Sequence, residues 1–309
     1  MKNEENTRMK KFKGCIIYFT LALMTIILCS CNKQHDKITL SEPTLNKISE
    51  IEKQYGVTIN YCNVPVDKNL KFEYEIASNA DEIAEAVKAA EIIFSRLPEG
   101  WVNDIKNSYP SLGYEINNMN FLFCEELEGD TDSFGNEIRL WSKYTCIDDT
   151  IYMMVDIHNF EPEVSIADAI VNRIYHLAVI RAKFKELSHE GETELEKGEL
   201  ISIFTDYLEG NPSGFEYYNR VAEISENDKQ YVYGFAENIQ DVYFINEKSL
   251  YSIQLDCRQL IAPLLYTNEY EQLPEAFESE HIRNKAENTL FWFDYFFFYE
   301  RTYWHRWFE

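Results

Sequence analysis

Apolar and polar positions along this chain change their spacing in a way that separates strands from helices. Residues 80–97 place Ile83, Val87, Ala90 and Ile93 on one face and Glu82, Glu85 and Glu91 outside it. That spacing, starting after Ser78-Asn79, predicts an amphipathic helix that Pro98-Glu99-Gly100 ends. Residues 101–108 read as a second short helix, 48–55 as an earlier one, and 57–61 and the alternating KFEYEI of 71–76 as strands. Three further strands are predicted over 119–124 (MNFLFC), 138–146 (IRLWSKYTC) and 150–157 (TIYMMVDI). The period then switches. Residues 165–184, SIADAIVNRIYHLAVIRAKF, are apolar enough for a buried helix, with Ile166, Ile170, Ile174, Leu177 and Ile180 at helical spacing. Through its middle runs a polar stripe: Asp168, Asn172 and His176 are four apart and stack on one face.

Beyond that helix, 188–199 is a charged break in which His189-Glu190 reads as surface loop, 200–208 resumes as helix, and Asn211-Pro212-Ser213-Gly214 is a turn. Residues 231–245 are apolar and aromatic, and 281–298 predict a C-terminal helix with an aromatic end. The acidic stretch 125–136 holds Asp130, Asp132 and Asn136, which resemble calcium ligands. It lacks the glycine and closing glutamate of a calcium loop, so a solvated hairpin turn is expected. Repeats and low-complexity tracts are absent.

The first thirty residues read as an address. Lys2, Arg8, Lys10, Lys11 and Lys13 form a basic start, no charge occurs from Gly14 to Asn32, and the apolar run ends at Leu28-Cys29-Ser30-Cys31. This looks like a bacterial lipoprotein box, with Cys31 as the lipidated residue, 1–30 as the signal peptide and polar 31–47, carrying Pro43, as a tether. An uncleaved transmembrane anchor is the alternative, because the run is nearly long enough to span a bilayer. Either way the remainder is placed outside the inner membrane, and Asn32 after the cysteine is compatible with sorting to the outer membrane.

The formal charge is −24, and removing the five basic and two acidic residues of 1–30 takes it to −27. So acidic a chain argues against nucleic acid and against adsorption to anionic lipid, and it permits cationic partners. With 21 Tyr, 20 Phe and 5 Trp it has the bulk for a sizeable core. Cys62, Cys124, Cys146 and Cys257 remain beyond the signal, in no metal-binding or redox spacing, and are open to two disulfides or to buried free thiols.

A strand followed by a core helix with polar residues at i and i+4 is the layout in which H-E-x-x-H binds zinc and activates its water. Asn172-Arg173-Ile174-Tyr175-His176 lies over that motif, with Asn172 at the first ligand position, Arg173 at the base and His176 at the second ligand. In order of elements the chain resembles bacterial zinc-binding metallopeptidase lipoproteins, a gluzincin-like group related to lethal-factor-type proteases. The resemblance implies an α+β, zincin-like two-lobed fold. Its N-terminal lobe (48–164) would hold a small mixed sheet and a long helix, and its mainly helical lobe (165–309) would start with the motif helix. It makes 151–157 an edge strand, puts Gln240 after Gly234-Phe235 at the third ligand position, and matches a lysine-bearing terminal helix around 285–295.

Carboxamides are weak zinc ligands and arginine cannot act as a base, so the usual zinc hydrolysis is excluded on this alignment. The resemblance therefore implies a lipid-anchored envelope protein without a catalytic zinc, acting by binding and accessory to peptide or nutrient handling at the outer membrane. Its partners would be the membrane, through the lipid, and peptides or other envelope proteins. A zinc hydrolase with relocated ligands, drawing on His176, His158 and acidic residues, is one alternative. A structural or interaction lipoprotein, with the stripe as a buried hydrogen-bond network, is another. Tyr231, Tyr233 and residues 304–307 read either as an aromatic platform or as packing.

Overall fold

The computed structural model describes residues 38–61, 73–109, 113, 115–131, 137–138, 140–189, 211–218, 224–267 and 273–298. The signal peptide with Cys31, and also Cys62, Asp132, Asn136, Glu190, the helix at 200–208 and residues 304–307, lie outside them. The chain divides into a short unit, Met1–Thr39, of which Ile38 and Thr39 are described without helix or strand, and a large unit, Leu40–Glu309. Everything below belongs to the large unit.

Helix α1, Glu42–Tyr55, begins inside the stretch read as tether. Ser41 caps it by accepting from the Thr44 N–H, and Pro43 sits in the first turn, where a missing N–H costs nothing. Gly56, at φ 68°, ends it in the left-handed conformation that glycine adopts freely. Strands β1 (Thr58–Asn60) and β2 (Tyr74–Ile76) are followed by α2 (Ala80–Ser95), capped by Asn79, and α3 (Trp101–Ser108). Then come β3 (Asn118–Leu127), the small hairpin of β4 (Asp130–Thr131) and β5 (Glu137–Ile138), β6 (Ser142–Ile147) and β7 (Thr150–Asp156). The antiparallel β4–β5 pair is the hairpin expected of the acidic stretch.

The main sheet has five strands in the order β1-β3-β7-β6, with β2 also on β3. It is mixed: β1 and β7 run parallel to β3, while β2 runs antiparallel to β3 and β6 antiparallel to β7. The strand before the stripe helix is therefore not an edge strand. β7 is paired on both sides, and β6 is the edge. Near-continuous burial along β7 (Ile151, Met153, Met154, Val155) follows from that interior place.

Registers Phe121↔Met153 and Tyr144↔Met153 set one face of the sheet, which receives α2 and α3 through Phe94, Trp101 and Phe121. The opposite face is a smaller cluster of Leu122, Cys124, Leu127 and Met154 under Tyr74 and Ile76.

Helix α4, Pro162–His189, carries the polar stripe. Ile166, Ala167, Ile170, Val171, Ile174 and Leu177 are all buried, and over residues 165–174 the helix is buried on every side. It packs on β6, β7, α2 and α3 and also on the C-terminal helices, which makes it the joint of the molecule. Past a one-turn helix, α5 (Glu226–Lys229), come α6 (Ile253–Tyr266) and α7 (Glu280–Phe296). This mainly helical region has a second small core of Val232, Phe244 and Leu250. Arg96 donates to the Leu265 and Thr267 carbonyls, closing the C-terminal end of α6. Fold class is thus α+β, a mixed five-stranded sheet with helices followed by a mainly helical region.

Candidate functional site

The stripe residues find their partners on β6 and α6. Asp168 is fully buried, accepts from Ser142 Oγ at 2.9 Å, and is forked by Arg258, Nε to Oδ1 at 2.7 Å and Nη2 to Oδ2 at 2.5 Å. One turn on, Asn172 Oδ1 accepts from Gln254 Nε2 at 2.8 Å. The same Gln254 nitrogen lies 3.1 Å from His176 Nε2. Each of its two N–H bonds thus goes to one acceptor, which makes Nε2 of His176 the lone-pair nitrogen of a neutral ring. Burial, then the charges of Arg173 and Arg258, push the His176 pKa down to about 4.

Arg173, which the resemblance puts at the base position, packs its guanidinium on tyrosines. Its guanidinium lies over the Tyr144 ring, 4.3 Å from the centroid, and the Tyr109 ring, 4.9 Å away. The residue is 3% exposed, and its Nε has no hydrogen-bond acceptor. Cys146 belongs to the same seam, beside the Tyr109 hydroxyl and Arg173, and burial holds its thiol above the usual range. Residues 142, 144 and 146 alternate along β6, so all three face the stripe helix.

Gln240 is not part of this cluster. It is exposed, in the single 3-10 turn Ile239–Asp241, where its N–H bonds the Asn238 side chain. That turn packs on another, Glu275–Glu278, rather than on the stripe. The carboxamide that meets Asn172 and His176 is Gln254 on α6. The hydrophobic pattern gives no element over 246–280, although Ile253, Cys257, Leu260, Ile261, Leu264 and Leu265 have helical spacing after a Ser252 cap. Pro263, three residues from the end of α6, masks that signal.

His158 also stands apart. It follows β7, is about half exposed, and its Nδ1 lies 3.1 Å from both carboxylate oxygens of Glu82, which raise its pKa. Its neighbours Glu82, Glu125 and Asp156 are not those of His176. Tyr231 packs edge-on against Tyr243 in the second core, and Tyr233 donates to Glu275. The cysteines Cys124, Cys146 and Cys257 are free thiols.

The lysine of the terminal helix is fully buried. Lys285 Nζ donates to Asp256 Oδ2 at 2.7 Å and Asn211 Oδ1 at 3.1 Å, and lies 4.2 Å from the Phe244 ring centroid. Tyr217 donates to the same Asp256 oxygen, so this network ties α7, α6 and the 211–218 segment together.

These residues do not fit a zinc ion. The ring nitrogen of His176 and the oxygen of Asn172 both face N–H bonds of Gln254, and two guanidinium groups bias the site against a cation. Among the described residues no three His, Cys, Asp or Glu side chains are grouped to hold a metal. Likewise, no helix among them is long and apolar enough to cross a membrane. Compared with known protein families, curated proteins and solved structures, the chain has no match in any of the three.

Proposed function

We propose that this chain is a lipid-anchored envelope protein that binds peptides on a metallopeptidase-like, two-lobed scaffold and does not hydrolyse them. Lipidation at Cys31 would hold it at the outer membrane. The observation that carries this reading is the Gln254 amide, which joins Asn172 to His176 where a peptidase of the resembled group would hold its metal. Arg173, at the base position on that alignment, stacks its guanidinium on two tyrosines and, always protonated, cannot take a proton from water. Support for peptide as the ligand comes from β6, which among the described residues pairs only with β7. Its second edge is suited to main-chain hydrogen bonding with an extended segment.

The test is zinc stoichiometry on the full-length protein, made without a histidine tag and dialysed after incubation with the metal. A value near zero, with no chelator-sensitive peptide cleavage, is expected. A value near one that falls in His176→Ala would overturn the reading and restore a peptidase with relocated ligands.

One observation favours a purely structural role. Asp168, Asn172 and His176 all have partners, as a buried network would require. Failure to bind peptide or any other ligand would select that role.

A further inference from the structure

We propose that Arg173 is a carboxylate-binding residue, and that the ligand of this protein presents a single carboxylate to the seam between α4 and β6. Four basic side chains are buried among the described residues, and three of them meet oxygen. Arg258 has Asp168, Lys285 has Asp256 and Asn211, and Arg96 has the Leu265 and Thr267 carbonyls. Arg173 has two aromatic rings, and among the described residues its buried Nε has no acceptor. A buried cation is retained at a cost unless something compensates it, and ring faces offer only part of that compensation. The unmet Nε donor and the charge together call for an anion.

The surroundings specify which anion. His176 beside Arg173 is a neutral acceptor, so the seam offers one positive charge, which suits a monoanion better than a phosphate dianion. The chain's formal charge of −24 repels polyanions further. Access is through Tyr144, which covers the guanidinium on one side and is itself 38% exposed on the edge strand. Tyr144 belongs to β6, the strand a peptide would pair with, so the inference deepens the peptide-binding reading and rests on it for the identity of the ligand.

The experiment titrates full-length protein with four probes: N-acetyl-tetra-alanine with a free carboxylate, its C-terminal amide, an amidated analogue with one internal glutamate, and sodium acetate. Calorimetry reads affinity, and NMR of labelled histidines reads His176. Binding of the free acid at least about tenfold tighter than of the amide is expected, with loss of that preference in Arg173→Met. Bound carboxylate offsets the Arg173 charge, so the His176 pKa rises on binding.

The glutamate analogue separates a side-chain source from a chain terminus, and either result upholds the site. Acetate binding that needs Arg173, with no peptide binding, upholds the site with a small organic acid as its ligand and removes the peptide reading. Equal binding of the acid, the amide and the glutamate analogue overturns the carboxylate site and leaves peptide binding standing. If none of the probes binds, both fall. Comparison of the amide with the two carboxylate-bearing peptides in the unaltered protein decides the matter even if Arg173→Met does not fold.

Discussion

Arg258 and Arg173 are both buried guanidinium groups beside the same stripe helix, and they differ in what faces them. Arg258 meets Asp168 in a two-bond fork that also takes in Ser142 of β6. Arg173 meets Tyr109 and Tyr144 through their rings, with no carboxylate bonded to it among the described residues. Planar guanidinium suits both settings, forking a carboxylate with two N–H bonds in one and stacking on rings in the other. A charge whose partner is built into the fold belongs to the architecture, because removing either member strands the other. A charge without a built-in partner leaves its compensation to something that arrives.

That difference is broken most sharply at Asp168. Asp168→Ala leaves Arg258 buried without its carboxylate and is expected to cost about 3–5 kcal/mol of unfolding free energy, read from denaturant midpoints. Replacing both members, Asp168→Leu with Arg258→Met, recovers most of that loss, because desolvation of the pair is relieved together. Lys285→Ala is expected to fall in the same class, with a loss of about 3–5 kcal/mol, since it strands Asp256 in a fully buried site. A loss under about 1 kcal/mol at either position would mean that the pairs do not hold the helices together.

Much of the sheet and the stripe helix is legible in the sequence, and the reason is local. Residues 101–108 and 150–157 carry their period and stops within themselves, and α3 and β7 follow with bounds within a residue. The edge position is not local. Period 2 says that 150–157 is a strand, but which strand flanks it is set by pairing with β3 and β6. The stripe was visible as i, i+4, i+8 spacing, whereas its partners were not. Gln254 and Arg258 come from a helix whose Pro263 disguises it, more than 70 positions downstream. Gln240 matched a spacing from a resemblance and sits on an exposed turn instead, since spacing alone does not bring a loop to a helix.

The next effect is smaller and depends on pH. His176 titrates near 6.5 when unfolded and at about 4 in the fold. As pH falls through 6.5 the unfolded chain takes up a proton that the native ring refuses until about 4. Stability from this group is therefore full above 6.5 and is lost across that window, by up to about 3 kcal/mol. Carboxylates titrate over the same range, so the quantity to measure is the difference in unfolding free energy between the native protein and His176→Gln. That difference is expected to slope between pH 6.5 and 4 and to be level above it. A level difference throughout would place His176 in water rather than against Gln254. In Arg173→Met the window narrows, because one of the charges holding the ring neutral is gone.

Arg173→Met is the smallest change and the one that sets the two arginines furthest apart. Removing the guanidinium forfeits its contacts with Tyr109 and Tyr144, about 0.5–2 kcal/mol. It also relieves the cost of an uncompensated buried charge, which acts in the opposite direction. Stability is therefore expected to stay within about 1 kcal/mol of the unaltered protein. Met retains apolar contact with both rings, and no carboxylate is stranded. A loss as large as that of Asp168→Ala would show that Arg173 is as much a part of the framework as Arg258. A near-neutral result, beside a large loss at Asp168, separates the charge that builds this fold from the charge that the fold holds ready.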